Sequence, residues 1–540
     1  MDTQTGRPVT LAPNGLVTSP HSLASSAGVD VLRAGGSAVD AAMATSAALA
    51  VLYPHMTSIG GDAFWLIHEA KSGAVKYLNG GGRAAAGGTL AAMAERGLSD
   101  IPFRGVVPAT LTVPGALASW DEAHAAYGRL PLPRILEAAI VYARDGFPVT
   151  ERLAGHIVER RDDLAANEYA ARIFLPDGAP PAAGTKLVNP DLARSLERFA
   201  EAGRSGFYAG ETAAEMARFA AEAGGIFTAE DFAGQTAQWG EPISSEYRGV
   251  TIYNTPPPTQ GFTVLEMLNL IEPFELHKME MLSPEHIHLL VQAKQIAFHD
   301  RDRLLADPDF IDVPIDQLIS KAYAEERRVL IDMKTALPWD KVPSHGSLAG
   351  DTVYMAAIDS EGNAVSLIQS LFAAFGSGQV AGRTGIMLQN RASYFSLDPA
   401  HPNRLEPGKI PQHTLMASMS KRGDDLWSVL GTQGADGQPQ IQLQLLTDMI
   451  DFGLNIQEAL ELPRFLSGRI SLGEARDMLH LEGRMPEATF DGLAARGHKL
   501  NRWADWNNRA GHAHGIVIEP GTGLYTGGSD PRSDGAAIGY

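Results

Sequence analysis

The stretch GDTVYMAAIDSEGNAV, residues 350–365, decides how this chain of 540 residues is interpreted. Its Thr352 opens an apolar run, where a threonine is most simply a strand former. Cleavage of the peptide bond between Asp351 and Thr352 would give that residue a second role, because it would then carry both a hydroxyl nucleophile and a free α-amine base. Such an arrangement needs neither a histidine nor a metal ion. The rest of the sequence has to decide between these two interpretations.

The same stretch predicts a β-hairpin. Residues 352–357 and 364–371 read as strands, and the acidic, glycine-containing segment DSEGN lies between them. Later parts of the chain also contain short apolar runs between turn residues. We expect further strands at residues 385–388, 427–430 and 515–519, and helices at residues 439–451 and 456–462.

Helical patterns dominate the part of the chain before this hairpin. Residues 22–32 form a helical pattern that a glycine pair ends, and residues 38–52 are alanine-rich and apolar almost all round, as in a buried helix. The segment SPE at residues 283–285 begins a helix reaching about residue 305, because it combines a cap, a proline at the first helical position and an acidic first turn. Strands that bracket helices, with no obvious linker, predict an α+β (α/β layered) sandwich. Residues 1–351 and 352–540 are expected to build one core together.

The composition excludes several classes of partner. The formal net charge is −19, which disfavours binding to nucleic acid or to an anionic membrane surface. An acidic substrate would be repelled at long range, so it needs a local cationic receptor. The chain has no cysteine, so disulfides, thiolate nucleophiles and Cys-ligated metals are excluded. Residues 1–15 lack the apolar stretch of a secretory signal, and no apolar run is long enough to span a bilayer; we expect a cytoplasmic protein.

One group of side chains resembles a metal site only superficially. His286 and His288 are two residues apart on a predicted helix and therefore point to different faces. Together with His299, Asp300 and Asp302 they have poor spacing for zinc, which needs convergent ligands. We expect structural roles for them, and neither a metal nor another cofactor.

Segments spread over almost the whole chain resemble the γ-glutamyltransferase family of N-terminal nucleophile hydrolases. They are SPHSLASSAGVDVLRAGGSAVDAAMATSAALAVLYPH from Ser19, SIGGD at 58–62, Thr352 with its DxxGNAV companion, FGSG at 375–378 and SDPRSDG at 529–535. The resemblance implies a four-layer αββα fold made as an inactive precursor. Self-cleavage before Thr352 would give a large chain, 1–351, and a small chain, 352–540. The two chains are expected to stay associated, and further assembly into a homo-oligomer is left open.

The resemblance also implies roles for individual residues. Thr352 is the nucleophile, and its freed α-amine, with an ordinary pKa of about 7.7–8.0, acts as its base. Ser370 supplies a second hydroxyl next to the nucleophile, where threonine is usual. Gly434 and Ala435 supply the paired backbone N–H groups of an oxyanion hole, with Ala435 replacing the usual second glycine. Arg83 matches the arginine that binds the substrate carboxylate.

Departures from the family pattern concern the group that binds the substrate's α-amine. Tyr394 stands in place of an aspartate that binds the ammonium group, and Arg391 and Phe372 stand in place of neutral amides. His413 and Thr414 replace a pair of serines but keep hydrogen-bond donors. An ammonium group beside Arg391 would be repelled. The pocket is therefore expected to prefer an acid without an α-amino group and to give weak or no γ-glutamyl transfer.

Two blocks narrow the expected substrate further. YPHMTSIGGDAFW at 53–65 and GTQGADGQPQ at 431–440 resemble the branch of the family that contains oxamate amidohydrolase and glutaryl-cephalosporin acylases. The leading expectation is hydrolysis of the amide of a small carboxylic acid, with oxamate giving oxalate and ammonia. A dicarboxylic-acyl acylase comes next, then a γ-glutamyl hydrolase or transferase. The remaining alternative is a non-catalytic relative that binds carboxylates or serves as a structural partner.

Overall fold

Two antiparallel sheets occupy the centre of the computed structural model, which describes residues 6–343, 350–470 and 474–540. Three expectations from the sequence include residues outside those ranges. They concern the large chain, 1–351, the small chain, 352–540, and the lack of a signal in residues 1–15. The strands in the described part are β1 (Thr10–Ala12), β2 (Leu16–Ser19), β3 (Asp62–His68), β4 (Val75–Gly80), β5 (Phe147–Pro148), β6 (Lys186–Leu187), β7 (Gln238–Gly240), β8 (Ile243–Tyr247), β9 (Val250–Asn254), β10 (Asp351–Ile358), β11 (Ala364–Phe372), β12 (Ser418–Arg422), β13 (Asp425–Thr432), β14 (Phe465–Ser467), β15 (Met478–Glu482), β16 (Lys499–Trp503), β17 (Ala513–Ile518), β18 (Tyr525–Ser529) and β19 (Ala536–Gly539).

Helices lie mainly between the early strands and on the outer faces of the sheets. Within the described residues they are α1 (Ser22–Arg33), α2 (Ala38–Leu52), α3 (Leu90–Glu95), α4 (Val106–Leu111), α5 (Ala116–Tyr127), α6 (Leu132–Asp145), α7 (Glu151–Glu159), α8 (Arg161–Ala165), α9 (Glu168–Phe174), α10 (Pro190–Ala202), α11 (Arg204–Tyr208), α12 (Gly210–Ala223), α13 (Ala229–Gly234), α14 (Phe262–Ile271), α15 (Pro284–Leu304), α16 (Ile315–Leu318), α17 (Lys321–Arg328), α18 (Gly437–Ile450), α19 (Ile456–Glu461) and α20 (Glu487–Ala495).

Both central sheets combine strands from before and after residue 352. In the described part of the chain, one has the order β1-β18-β17-β13-β12-β9-β8 and the other β19-β2-β10-β11-β3-β4-β7. Their facing sides enclose an apolar core that includes Phe64, Tyr354, Ile368, Val429 and Ile516. A single core is therefore built jointly by the two segments expected to become separate chains.

Helices cover the outer faces of both sheets. The helix α2 packs on β10 and β11, whereas α14 packs on β8 and α18 packs on β13. The predicted four-layer αββα sandwich is confirmed. The whole of α2 is buried, and its small side chains allow close packing: a Cβ added to Gly28 of α1 would lie 2.3 Å from the hydroxyl of Thr45.

Most of the elements predicted from sequence are present. The hairpin consists of β10 and β11, and the predicted helices correspond to α1, α2, α15, α18 and α19. The strand predicted at residues 385–388 is wrong. Gly385 has a φ of 70°, and Met387 and Leu388 make only isolated bridges, to Val380 and Gly60. A left-handed residue at the start of this segment ends any regular ladder there.

His288 and His299, on α15, contact other protein groups. His288 Nδ1 lies 2.7 Å from His498 Nε2, and His299 Nδ1 lies 3.0 Å from the carbonyl oxygen of Pro343. No group of three or more histidine or acidic side chains in residues 6–343, 350–470 and 474–540 is arranged to hold a metal ion. Within the same ranges, no helix combines the length and apolarity needed to cross a membrane.

A buried ion-pair network ties the SDPRSDG segment to β15. Arg532 is inaccessible to solvent; its Nε donates to Glu482 Oε1 at 2.8 Å and its Nη1 donates to Asp530 Oδ1 at 3.1 Å. Asp530 also pairs with Arg464 at 2.6 Å. Removal of Arg532 would break its hydrogen bonds to both buried carboxylates, which would then be paired by Arg464 and Arg484 alone, and such a loss in a buried network is costly.

We therefore predict that Arg532→Met lowers the free energy of unfolding by about 3–5 kcal/mol, because two buried carboxylates lose the hydrogen bonds of its guanidinium group. The matched control is Arg502→Met, since the exposed pair of Arg502 with Glu487 at 2.8 Å should contribute less than about 1 kcal/mol. Scanning calorimetry of both variants measures the difference. Equal melting temperatures for the two variants would contradict a structural role for this network.

Candidate active site

Thr352 and Ser370 meet because β10 and β11 pair side by side. Thr352 is 1% exposed, and its hydroxyl donates to the hydroxyl oxygen of Ser370 at 3.0 Å. Ser370 in turn donates to the carbonyl oxygen of Asp351 at 2.7 Å and accepts from the backbone N–H of Phe372 at 2.7 Å. The register of the hairpin shifts between Asp351 and Val353, so Thr352 lies at an irregularity of the ladder. The two hydroxyls thus form a chain that ends on the carbonyl of the Asp351–Thr352 bond.

This chain of hydroxyls favours chemistry at the Asp351 carbonyl. The donor from Ser370 draws electron density towards the carbonyl oxygen, and the Thr352 hydroxyl is held next to Ser370. Ser370 therefore donates a hydrogen bond to the carbonyl oxygen while its own oxygen accepts one from the Thr352 hydroxyl. A preorganised donor of this kind stabilises a developing oxyanion.

Gly434 and Ala435 lie in the turn between β13 and α18. Both have positive φ values, 131° and 46°, so Ala435 adopts a left-handed conformation despite its methyl group. The side-chain amide of Gln260 donates to the carbonyl oxygens of Ala435 and Thr414, at 2.9 and 2.8 Å. A Cβ added to Gly350 would lie 3.0 Å from the Ala435 methyl group. The segment before Thr352 therefore packs directly against the predicted oxyanion turn.

Arg391 is buried in an aromatic setting close to the hairpin. It lies on a 3₁₀ turn, Arg391–Tyr394, and is 1% exposed. Its guanidinium carbon is 4.5 Å from the ring centre of Phe372 and 5.4 Å from that of Tyr394, and its Nη1 donates to the Thr414 hydroxyl at 3.2 Å. The Nε and Nη2 atoms have no hydrogen-bond partner among the described residues. Burial lowers the pKa of Arg391 to about 10, so the side chain stays cationic at neutral pH.

An acidic residue that the sequence analysis did not single out lies beside Arg391. Asp62, at the start of β3, is 1% exposed and accepts hydrogen bonds on Oδ1 from Gln389 at 3.1 Å and from the Gly115 N–H at 3.2 Å. Its Oδ2 is 3.6 Å from Nε2 of His413. Burial raises the pKa of Asp62 to about 7, although nearby Arg391 opposes the shift. We call Asp62, Arg391, His413 and Thr414 the acid-binding cluster.

His413 is neutral in this cluster. It is 1% exposed, and burial, followed by the charge of Arg391, holds its pKa well below the usual range. Neither ring nitrogen has a hydrogen-bond partner among the described residues. The sequence signal for Asp62 is an acid within a glycine-rich motif, directly before an apolar run. In the structure it pairs in register with Ser370.

Arg83 has protein partners in the uncut chain. Its Nη1 donates to the carbonyl oxygen of Gly408 at 3.0 Å, and its Nη2 is 3.7 Å from the half-exposed carboxylate of Asp309. The preceding residue, Gly82, adjoins the acid-binding cluster, because a Cβ there would lie 2.8 Å from Asp62 Oδ1. The backbone of Arg83 is thus next to the cluster, while its guanidinium group is directed towards Gly408 and Asp309.

A cavity of about 390 Å³ opens at Asp351 and Gly434. Its wall includes Phe103, whose ring contacts that of Phe372 edge to face at 5.5 Å. Phe372 also contacts Arg391, so its ring lies between the cavity wall and the acid-binding cluster. The cavity provides space for a substrate group beside the candidate nucleophile.

The model of the gamma-glutamyltranspeptidase family matches residues 24–540. The chain belongs to this family. A glutathione hydrolase-like YwrD proenzyme from Bacillus subtilis is 44% identical over 97% of this chain and 98% of its own length. An oxamate amidohydrolase proenzyme from Klebsiella pneumoniae is 38% identical over 98% of this chain and 99% of its own length. The crystal structure of a cephalosporin acylase from Bacillus halodurans superposes with a TM-score of 0.91 at 37% identity, covering 100% of this chain and 98% of that one.

These likenesses confirm the predicted family and its N-terminal nucleophile hydrolase fold. Members of the gamma-glutamyltranspeptidase family are enzymes, and two of the relatives above are named as proenzymes. The names of the three relatives differ in the substrate that they indicate, so family membership leaves the substrate open.

We predict that Ser370→Ala slows cleavage of the Asp351–Thr352 bond by about 10²–10³-fold, because the carbonyl loses its hydrogen-bond donor. Ser370→Thr should retain most of the rate, since it keeps the hydroxyl. The fraction of uncut chain on denaturing gels, followed with time after purification, measures the effect. Ser366→Ala is the matched control, because the Ser366 hydroxyl in the same strand contacts Tyr354 instead of the carbonyl. Wild-type cleavage in Ser370→Ala would contradict this role.

Proposed function

We propose that this protein is an autoprocessed amidohydrolase that uses Thr352 to hydrolyse the amide of a small carboxylic acid, with oxamate as the leading substrate. The observation that carries the proposal is the acid-binding cluster next to the Thr352–Ser370 pair. A buried guanidinium group with two nitrogens lacking partners among the described residues is a receptor suited to a carboxylate. The relative named as an oxamate amidohydrolase proenzyme supports the choice of oxamate.

Processing begins at the bond that Ser370 polarises. The Thr352 hydroxyl attacks the Asp351 carbonyl carbon, and the C–N bond breaks as the acyl group moves from nitrogen to oxygen. Water then hydrolyses the resulting ester, which releases the Asp351 carboxylate and leaves Thr352 with a free hydroxyl and a free α-amine. Chains 1–351 and 352–540 stay together because each contributes strands to both sheets.

Turnover uses the two groups that processing exposes. The α-amine of Thr352 accepts the hydroxyl proton while the oxygen attacks the amide carbonyl, and the backbone N–H groups of Gly434 and Ala435 stabilise the oxyanion. The protonated amine then gives its proton to the leaving nitrogen, and ammonia departs. Water, activated by the same amine, hydrolyses the acyl ester and releases oxalate.

The acid-binding cluster explains the expected preference for an acid without an α-amino group. Arg391 attracts a carboxylate, Thr414 offers a hydroxyl beside it, and the rings of Phe372 and Tyr394 restrict the space. An ammonium group in the same place would meet a buried cation. Arg83 is the second proposed carboxylate ligand, provided that its guanidinium exchanges Gly408 and Asp309 for the substrate.

A second candidate is hydrolysis of a larger acyl amide. The cavity of about 390 Å³ at Asp351 and Gly434 exceeds what ammonia needs as a leaving group. Its size, together with the likeness to the cephalosporin acylase structure, favours a dicarboxylic-acyl acylase as the runner-up. The likeness to the glutathione hydrolase-like proenzyme keeps γ-glutamyl hydrolysis as a third possibility.

Replacement of the nucleophile tests the mechanism. We expect Thr352→Ala to have no amidase activity, because the variant has no hydroxyl, whereas Thr352→Ser should keep measurable activity. With wild-type enzyme and an amide substrate, added hydroxylamine should yield the hydroxamate of the acyl group, because it intercepts the ester on Thr352. Full activity of Thr352→Ala would refute the proposed nucleophile.

Side-by-side substrate assays test the substrate ranking. We expect kcat/KM for ammonia release from oxamate to exceed that for hydrolysis of a glutaryl amide or of a γ-glutamyl anilide, because Arg391 attracts a carboxylate and the rings of Phe372 and Tyr394 restrict the space beside it. Ammonia, glutarate and aniline release are measured with one enzyme preparation. Rapid glutaryl release without oxamate turnover would establish the runner-up, and no hydrolysis of any of them would favour a non-catalytic carboxylate-binding relative.

A further inference from the structure

The acid-binding cluster contains a buried acid beside its buried cation. We propose that this cluster binds an anionic ligand together with one proton, and that Asp62 is the group that takes up the proton. The inference deepens the proposed function and rests on it in one respect, namely that Arg391 faces the ligand. The ligand class consists of small carboxylates, which bind as anions while the site takes up one proton.

The geometry supports a direct link between Asp62 and the ligand site. Asp62, Arg391 and His413 are each 1% exposed. Asp62 Oδ2, Arg391 Nε and Nη2, and both His413 ring nitrogens have no hydrogen-bond partner among the described residues. Buried polar atoms without partners are rare and costly. Their concentration at one place indicates a site that a polar ligand completes.

The groups facing Asp62 determine how its protonation changes the attraction of the cluster for an anion. Arg391 is the cation that favours its ionised form, while His413 and Tyr208 are neutral because burial lowers the pKa of the histidine and raises that of the phenol. The uncharged donors are the Gln389 side-chain amide and the backbone N–H groups of Gly115 and Gly82. An ionised Asp62 therefore cancels the charge of Arg391, whereas a protonated Asp62 leaves the cluster cationic.

A bound carboxylate changes the state of Asp62. Placed on the free nitrogens of Arg391, it would add a second negative charge beside Asp62, and like charges in a buried site raise the pKa of one of them. Protonation removes that repulsion. The proton on Oδ2 faces His413 Nε2, which at 3.6 Å needs only a small approach to accept a hydrogen bond.

The linkage predicts how affinity depends on pH. In the free enzyme the pKa of Asp62 is about 7, so below pH 7 the carboxyl is already protonated and affinity for an anion is at its plateau. Above pH 7 the site must take up a proton on binding, and affinity falls by up to about tenfold per pH unit. At pH 8.5 the expected loss is about thirty-fold relative to the plateau.

The variant Asp62→Asn copies the shape of the protonated acid. Its side-chain oxygen can still accept the hydrogen bonds from Gln389 and Gly115, and its NH₂ group can donate towards His413. We expect it to keep the low-pH affinity at all pH values. At pH 8.5 it should therefore bind a carboxylate about thirty-fold more tightly than the wild-type enzyme does.

Isothermal titration of oxalate and of glutarate into the processed enzyme, between pH 6.5 and 8.5, tests the proposal. Titrations in two buffers of different ionisation enthalpy give the number of protons taken up. For the wild type we expect uptake approaching one proton per ligand at pH 8.5, and for Asp62→Asn none. Wild-type affinity that is independent of pH, an unchanged pH dependence in Asp62→Asn, or no binding of either acid at pH 6.5 would each overturn the proposal.

A matched control separates this effect from the general loss of a buried acid. Asp448 on α18 is 4% exposed, and burial raises its pKa well above the usual range, but its charged neighbours are Arg464 and Asp451. Asp448→Asn should leave the pH dependence of binding at the wild-type value. If Asp62→Asn fails to fold, the wild type still tests the proposal, because an affinity that does not fall between pH 7 and 8.5 overturns it. Proton-coupled glutarate binding without oxamate hydrolysis would keep this inference and overturn the proposed substrate alone.

Discussion

The antiparallel pairing of β10 with β11 is the constraint on which the candidate site depends. It brings together two hydroxyls that are 18 residues apart, and it places the second of them against the carbonyl of the bond before the first. Ser370 can donate to only one acceptor at a time. Its proton is donated to the Asp351 carbonyl, which polarises the bond in the uncut chain, while its oxygen accepts the hydrogen bond from the Thr352 hydroxyl.

The arrangement of strands explains how a chain could be cut in its core and remain folded. β10 begins at the proposed cleavage point and lies between β2 and β11, so one neighbour comes from each side of that point. In the other sheet the early strands β1, β9 and β8 lie on either side of the late strands β18, β17, β13 and β12. Cleavage at Asp351–Thr352 would break one covalent bond but leave these ladders and the apolar core between the sheets in place.

The sequence was most informative where local pattern and tertiary structure agree. The helix α2 and the hairpin of β10 and β11 were predicted because composition, caps and turn residues all indicate the same elements. The strand predicted at residues 385–388 is wrong. These residues are buried, but their backbone is irregular and begins with a glycine in the left-handed region. Burial alone does not distinguish such a segment from a strand.

The candidate site was predictable in part for the same reason. Thr352 and Ser370 occupy strand positions that a hairpin register brings together, so their proximity follows from a local pattern. Asp62 was missed because its significance arises from a long-range neighbour, Arg391, on a turn more than three hundred positions later in the chain. The cation at residue 391 was recognised as a departure from the family pattern, but its compensating acid becomes visible only in the folded structure.

Mass spectrometry of the purified protein under denaturing conditions, combined with sequencing of the N-terminus of the smaller product, tests the central claim most directly. Two chains are predicted, corresponding to residues 1–351 and 352–540, with Thr352 as the first residue of the smaller chain. A single uncut chain after prolonged incubation, or a smaller chain that begins at any other residue, would contradict the assignment of Thr352 as a nucleophile released by self-cleavage.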